Sequence, residues 1–193
     1  GDDMRNLFKA LIIFLLAIVI VLSLGYMVQK SPWYRRKLYP LRYEKYIIKY
    51  SEEFSLDPYL VSAVIWAESR FVPNATSIKN ARGLMQITPE TGKWGAELLN
   101  IEGFEVDDLY DIDLNIRLGC WYLDKLNIQF DGNIELVLAA YNGGSGNVSR
   151  WLKDTRYSKD GKTLYYIPFQ ETREYVSKVI TAYEEYKKLY DLR

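Results

Sequence analysis

The sequence predicts an all-α domain that follows a single apolar N-terminal helix. Three observations favour this fold class. Apolar residues recur at helical spacing over most of the chain, strict alternation of apolar and polar residues is scarce, and helix-capping residues stand at several segment boundaries. With 193 residues, about half of them apolar, the chain has room for one ordinary domain plus an appendage.

The first element is a run of nineteen residues without a charge, residues 10–28. As a helix this run reaches ~28 Å, close to the thickness of a bilayer core. We predict that residues 1–28 form an uncleaved anchor that crosses the cytoplasmic membrane once. A cleaved signal peptide is the alternative, although the apolar regions of signal peptides are usually shorter.

A basic segment comes next, and we predict that residues 29–42, which contain Pro32 and Pro40, form a short juxtamembrane linker. Residues 29–50 hold seven basic side chains and one acidic one, a net charge of +6, whereas residues 51–193 carry about −6. The acidic balance of the main domain argues against nucleic-acid binding. The basic cluster is typical of contact with anionic headgroups, and by the positive-inside rule it favours a cytoplasmic domain.

The main domain, residues 43–193, has the punctuation of a helical protein. Asp57-Pro58 and Thr88-Pro89 each pair a capping side chain with a proline suited to the first helical turn, and Gly143-Gly144 ends a helix. We expect five to seven helices, with a long polar and aromatic loop over residues 153–170. The predicted helices cover residues 43–54, 58–70, 88–99, 113–130, 133–142 and 171–189.

Composition limits the chemistry that this domain can perform. The chain has no histidine and one cysteine, Cys120, which lies in an apolar helical stretch typical of a buried side chain. Ser-His-Asp triads, Cys-His pairs and histidine-ligated metals are therefore excluded, and we expect neither a metal nor a cofactor. Proton transfer near neutral pH must then come from a carboxyl, lysine or tyrosine side chain with a shifted pKa.

Glu68 is the best candidate for such a group. It follows Val61 and Val64 by seven and four residues, so it shares their apolar helix face. Burial disfavours a charged carboxylate and raises its pKa toward neutrality, which suits a general acid. The alternative is a structural glutamate that pairs with Arg70 or another basic residue at the helix end.

Four short motifs surround this glutamate along the chain. They are residues 68–71 (ESRF), 83–86 (GLMQ), 140–144 (AYNGG) and 167–176 (IPFQETREYV). Together, in this order, they make residues 43–186 resemble the soluble lytic transglycosylase family, which is related to goose-type lysozyme. The resemblance implies a lysozyme-like helical fold with a long saccharide groove, no cofactor, and glycan strands of peptidoglycan as the binding partner.

The resemblance also implies a reaction. Family members cleave the bond between N-acetylmuramic acid and N-acetylglucosamine with one glutamate, which Glu68 matches. It protonates the glycosidic oxygen and then accepts a proton from the muramoyl 6-hydroxyl, which closes into a 1,6-anhydro ring with help from the N-acetyl group. This scheme departs from the usual pair of carboxylates in glycosidases.

Five further positions carry family roles over by resemblance. Ser77 matches a serine near the reacting sugar, Gln86 a glutamine that hydrogen-bonds an acetamido group, and Tyr141 a tyrosine over the site. Asn142 either binds substrate or caps a helix end. Glu171 is either a second acid in the groove, with Arg173 as a possible structural pair, or a first-turn helix carboxylate.

Two further expectations concern the groove. Thr88 stands where some relatives carry a methionine over the sugar, so that apolar contact is not expected here. Gly83 is expected to let the backbone approach closely.

The expected location follows from the substrate. Peptidoglycan lies outside the cytoplasmic membrane, so we expect the catalytic domain on the extracytoplasmic side of a bacterial membrane, against the bias of the basic cluster. Two alternative functions stay open. One is a lysozyme-type muramidase on the same fold, in which water attacks. The other is a non-catalytic wall-binding module, against which the presence of Glu68, Gln86 and Tyr141 argues.

Overall fold

The structure is a computed structural model that describes residues 1–192. The chain divides into two compact units, Gly1–Pro40 and a second unit that begins at Leu41.

The first unit contains two helices. Helix α1 (Asp2–Lys30) has no buried residue, and its length and composition would let it cross a membrane, a test that a signal sequence also passes. Helix α2 (Pro32–Leu38) begins where the Ser31 hydroxyl accepts a hydrogen bond from the Tyr34 amide at 3.3 Å. Ser31-Pro32 is thus a capped start, and the linker predicted over residues 29–42 is partly helical.

The second unit is built from helices, and residues 1–192 contain no strand, only two isolated bridges that involve Arg82. The all-α prediction is confirmed. In chain order the helices are α3 (Glu44–Glu53), α4 (Pro58–Ser69), α5 (Pro89–Leu98), a 3-10 helix (Val106–Tyr110), α6 (Ile112–Gln129), α7 (Ile134–Gly143), α8 (Ser145–Leu152) and α9 (Gln170–Leu189).

Capping side chains start several of these helices, and two of the caps, Asp57 and Thr88, stand where the sequence predicts them. The Asp57 carboxylate accepts from the Tyr59 amide at 2.9 Å, and the Thr88 hydroxyl accepts from the Thr91 amide at 3.2 Å. Asn133 likewise caps α7. Each side chain satisfies an amide that the first helical turn leaves unpaired, which fixes where the helix begins.

Helix α8 and the 3-10 helix were not predicted. Gly144 separates α7 from α8 with φ of +88°, a backbone region that side chains with a Cβ rarely adopt. The glycine pair therefore ends α7 and lets α8 begin at once. The sequence alone predicts only the end of α7.

The core forms where α4 packs against α9 and α3, and where α7 packs against α9. Residues 61–67 of α4 are all buried, which accounts for its apolar character on every side. The hydroxyl of Thr172 donates to Asn142 at 2.8 Å, and Lys178 donates to the Ala67 carbonyl at 2.6 Å. These contacts hold the C-terminal ends of α4 and α7 beside the first turns of α9.

Candidate active site

A cavity of about 610 Å³ lies where these helix ends meet the segment that connects α4 to α5. This volume is typical of a site for a small ligand. All six residues that the sequence analysis selected line it, and they are Glu68, Ser77, Gln86, Tyr141, Asn142 and Glu171. The structure therefore brings together residues that lie as far apart as 103 positions in the chain, from Glu68 to Glu171.

Glu68 lies in the last turn of α4, immediately after the buried stretch. The pKa of its carboxyl group is raised from 4.5 to about 7 as the net result of four influences. Burial raises the pKa most, a hydrogen bond with Tyr175 and the charge of Lys178 lower it, and the negative charge of Glu171 raises it. Near neutral pH both the protonated and the ionised forms are populated. One side chain can thus donate a proton and accept one within a single reaction.

Glu68 is not held in a structural ion pair with Arg70. The Arg70 backbone is left-handed, with φ of +54°, and its guanidinium lies 3.6 Å from the centre of the Trp66 ring. Among residues 1–192 the structure gives Glu68 no salt bridge. The structural alternative with Arg70 is therefore wrong, and the carboxyl group keeps the raised pKa that burial imposes.

Tyr175 on α9 is a neighbour of Glu68 that the sequence analysis missed. Its hydroxyl is buried and has no partner at ordinary hydrogen-bond length among the described residues. It nevertheless lies close enough to lower the pKa of Glu68 by hydrogen bonding. Contacts of this kind in an empty site often tighten when substrate binds, so this hydroxyl is well placed to orient the carboxyl group.

Lys178, also on α9, was missed as well. Its ammonium donates to the Ala67 carbonyl, one residue before Glu68, and lies 5.6 Å from the centre of the Trp66 ring. Burial and the nearby Arg70 lower the pKa of Lys178, while Glu68 raises it. Tyr175 and Lys178 follow Glu171 by four and seven residues, so this helical spacing was the signal that could have identified both.

Gln86 presents one hydrogen-bonding atom to the cavity. Its backbone is left-handed, with φ of +51°, and its side-chain nitrogen donates to the carbonyls of Ala75 at 3.1 Å and Gly83 at 2.9 Å. Because both partners are carbonyls, the amide nitrogen must face them. Its oxygen remains as an acceptor, so Gln86 is suited to an N–H group of a ligand.

Asn115 on α6 fixes the backbone before Gln86. Its side-chain oxygen accepts from the Met85 amide at 2.8 Å, and its nitrogen donates to the carbonyls of Arg82 at 2.9 Å and Leu109 at 2.7 Å. A Cβ on Gly83 would lie 2.3 Å from both this nitrogen and the Leu109 carbonyl oxygen, and φ there is +77°. The expected close approach at Gly83 is confirmed, with Asn115 as its unpredicted cause.

Tyr141 donates its hydroxyl proton to the Met85 carbonyl at 2.7 Å. The hydroxyl thus supports the same backbone segment and has only lone pairs left to offer a ligand. Burial, reinforced by the charge of Glu68, raises the pKa of Tyr141 well above its usual value. The phenol therefore stays neutral and adds an apolar wall beside Glu68.

Ser77 and Thr88 lie on the other side of the cavity. The Ser77 oxygen accepts from the Ala81 amide at 3.1 Å, which leaves its own proton for a ligand. Thr88 caps α5, so its side chain serves the helix while it also lines the cavity. The apolar contact of a methionine is absent at this position, as the sequence predicts.

Asn142 and Glu171 complete the lining. The Asn142 oxygen accepts from Thr172, and its nitrogen makes no hydrogen bond within residues 1–192, so it faces the cavity as a donor. Glu171 lies in the first turn of α9 and also lines the cavity. It is not paired with Arg173, which instead donates to the carbonyls of Ile167 at 2.5 Å and Pro168 at 3.1 Å.

Comparisons with known proteins point to one family. The family model described as the transglycosylase SLT domain matches residues 45–165. The chain is 35% identical over 152 residues to a putative soluble lytic murein transglycosylase of Haemophilus influenzae, which covers 78% of this chain and 25% of the relative. It is 34% identical over 115 residues to the membrane-bound lytic murein transglycosylase D of Escherichia coli. That match covers 58% of this chain and 25% of the relative.

The fold is shared with solved structures. An inactive Glu-to-Gln mutant of the lytic transglycosylase Slt from Pseudomonas aeruginosa superposes with a TM-score of 0.69 at 32% identity, over 86% of this chain and 29% of that one. The predicted lytic transglycosylase fold is thus confirmed. The chain spans about a quarter of the length of these curated relatives.

Proposed function

The chain belongs to the transglycosylase SLT domain family, and from this premise we propose that it is a peptidoglycan lytic transglycosylase. It cleaves the β-1,4 bond between N-acetylmuramic acid and N-acetylglucosamine. One observation carries the proposal: a cavity of saccharide size contains Glu68, a buried carboxyl group whose pKa is raised to about 7. An inactive relative with a glutamate replaced by glutamine adds support.

The reaction needs only this one acid/base group. Protonated Glu68 gives its proton to the glycosidic oxygen, the bond from this oxygen to the muramoyl anomeric carbon breaks, and the acetamido oxygen stabilises that carbon. The Glu68 carboxylate then takes the proton of the muramoyl 6-hydroxyl, whose oxygen bonds to the anomeric carbon. The product is a 1,6-anhydro end, no water is consumed, and Glu68 regains its starting form.

The other lining residues bind and orient the sugar. The Gln86 oxygen accepts from an acetamido N–H, and the free Asn142 nitrogen donates to a carbonyl or hydroxyl oxygen. The Ser77 proton is available to a sugar hydroxyl. The negative charge of Glu171 favours the protonated form of Glu68. The same charge stabilises the positive charge that develops on the reacting sugar.

A lysozyme-type muramidase is the second candidate. Glu171 supplies a second carboxyl group in the same cavity, which is the arrangement that hydrolysis by two carboxylates requires. No aspartate lines the cavity among the described residues, so the usual aid for positioning water is missing. Without an aspartate to position water, attack by the muramoyl 6-hydroxyl is favoured over attack by water.

We further propose that residues 10–28 anchor the protein in the cytoplasmic membrane as a single span, with the domain outside. The apolar helix α1 and the membrane-bound relative support anchoring. The substrate supports the side, because the wall lies outside the membrane. The basic segment after the span opposes it, since such segments usually remain in the cytoplasm.

Glu68→Gln tests the proposed function. The amide keeps the shape of the side chain but cannot donate a carboxyl proton, so we expect the full-length protein in detergent to lose activity on isolated sacculi by a factor on the order of 10²–10⁴. The fold, checked by circular dichroism, should be retained. The matched control is Glu97→Gln, an exposed residue of α5 outside the cavity. Wild-type turnover by E68Q contradicts the role given to Glu68.

A further inference from the structure

One wall of the cavity is the tip of a tight turn, and its two tip residues have no assigned role. Ile78 is fully exposed, at 107% of its reference area, and Lys79 beside it is exposed as well. Lys79 is the one cationic side chain among the described residues that line the cavity, where the other charged groups are the acids Glu68 and Glu171. It forms no salt bridge with any of residues 1–192.

The backbone of this turn is held firmly. The Asn80 amide donates to the Ser77 carbonyl at 2.9 Å, and the Ser77 amide donates to the Ala81 carbonyl at 2.9 Å. The Asn80 side chain accepts from Arg82 at 3.2 Å. The turn therefore presents Ile78 and Lys79 at a fixed place on the cavity rim, although neither side chain contributes to the core.

The proposed substrate carries a group of matching chemistry. Its two alternating sugars differ in the lactyl ether on O3 of the muramoyl residue. That ether ends in a carboxylate when it is free, and in a peptide with its own carboxylates when it is substituted. When the muramoyl anomeric carbon faces Glu68, O3 lies on the same sugar ring, on the second carbon from the anomeric carbon. Its substituent is therefore within reach of the rim of the same cavity.

We propose that Lys79 binds a carboxylate on the lactyl substituent of the muramoyl residue, with Ile78 against its methyl groups. The inference rests on the proposed function and deepens it. N-acetylglucosamine lacks the lactyl group, so this contact distinguishes the two sugars and selects the register that places the correct bond at Glu68. A compact ammonium on a flexible stem suits a substituent that is sometimes free and sometimes extended by peptide.

Binding to the full-length protein in detergent tests the proposal. All variants carry Glu68→Gln, so that ligands are not consumed, and titration calorimetry compares three tetrasaccharides: a neutral chitin oligomer, a peptide-free muramoyl glycan and a peptide-bearing one. We expect Lys79→Gln to weaken muramoyl ligands about threefold and Lys79→Glu about tenfold, the range of an exposed ion pair. The chitin oligomer should bind unchanged, and high salt should remove the difference.

The pattern across ligands identifies the carboxylate. Weaker binding of the peptide-free muramoyl ligand alone supports the lactyl carboxylate, and weaker binding of the peptide-bearing ligand alone supports a peptide carboxylate. Weaker binding of both shows that Lys79 binds whichever carboxylate the substituent carries. Lys125→Gln, an exposed lysine of α6 outside the cavity, is the matched control and should bind all three like its parent. Unchanged binding in K79Q and K79E, or equal losses for all three ligands, overturns the proposal. Failure of the proposed function would instead appear as the absence of 1,6-anhydro products from sacculi treated with the wild-type protein.

Discussion

The carboxyl group of Glu68 is set by neighbours that act in opposite directions. Burial and Glu171 favour its protonated form, whereas Tyr175 and Lys178 favour the carboxylate. The balance leaves the pKa at about 7, which suits a group that must act as an acid and then as a base. All three of these neighbours lie on one helix, α9, so that helix sets the chemistry of a side chain on α4.

The raised pKa of Glu68 predicts how stability depends on pH. The folded state holds the proton more tightly than the unfolded state, so the stabilisation is complete below about pH 4.5 and is lost as pH rises to about 7. The loss amounts to about 3 kcal/mol, from the size of this shift. Thermal unfolding of Glu68→Gln should lack this component, and E97Q should retain it. Equal pH slopes in E68Q and the wild type would show that the shift is absent.

At this scale the sequence was most informative where a residue type is costly to bury. Glu68 stood out because a carboxyl group on an apolar face requires an explanation, and all six selected residues line one cavity. Tyr175 lies within the last of the four motifs but received no role, because one sequence does not show where its hydroxyl group lies. The suggested Arg173–Glu171 pair was wrong, because nearby carbonyls take the guanidinium of Arg173.

At the scale of elements, the segment between α4 and α5 forms a binding surface because α6 holds it. Asn115 is wholly buried, and its amide satisfies one backbone N–H and two carbonyls of neighbouring segments. Buried polar groups of the backbone are costly when unpaired, so a single amide fixes the geometry of the residues before Gln86. The helix starts could be predicted because capping residues are local signals in the sequence. The hydrogen bond between Asn115 and Met85 joins residues 30 positions apart, so no local pattern indicates it.

Asn115→Ala tests whether the hydrogen bonds of Asn115 hold this segment in place. It leaves the Met85 amide and the Leu109 carbonyl without partners, whereas the Arg82 carbonyl still accepts from the Ile87 amide at 3.0 Å. We expect the free energy of unfolding in urea to fall by about 2–4 kcal/mol. Activity should fall with it, since the backbone of Met85 and Gln86 loses its support. Asn127→Ala, on the same helix and without a side-chain hydrogen bond among the described residues, should change stability by less than about 0.5 kcal/mol. Similar losses in both variants would contradict the role of Asn115.

At the scale of the whole molecule, the neutral net charge of the chain conceals two opposed parts. A basic segment follows the apolar helix α1, and an acidic remainder forms the domain with the cavity. The basic segment favours a cytoplasmic domain, while the proposed substrate requires the other side. Charge bias alone therefore does not assign the location of this protein, and the proposed side of the membrane rests on the proposed substrate.

Protease treatment of intact spheroplasts checks the proposed topology. An extracytoplasmic domain should be degraded while a cytoplasmic marker protein remains intact, and lysis should expose the marker. If the domain stays protected until lysis, it lies in the cytoplasm, away from the cell wall. That result would contradict the proposed location.

Mass spectrometry of the soluble products from sacculi digested by the full-length protein tests the central claim most directly. We expect muropeptides that end in 1,6-anhydro-N-acetylmuramic acid, lighter by one water than products of hydrolysis, because the 6-hydroxyl attacks in place of water. The Glu68→Gln protein should release neither product above background. Reducing ends that contain the added water, with no anhydro form, would instead identify a muramidase and contradict the mechanism given to Glu68.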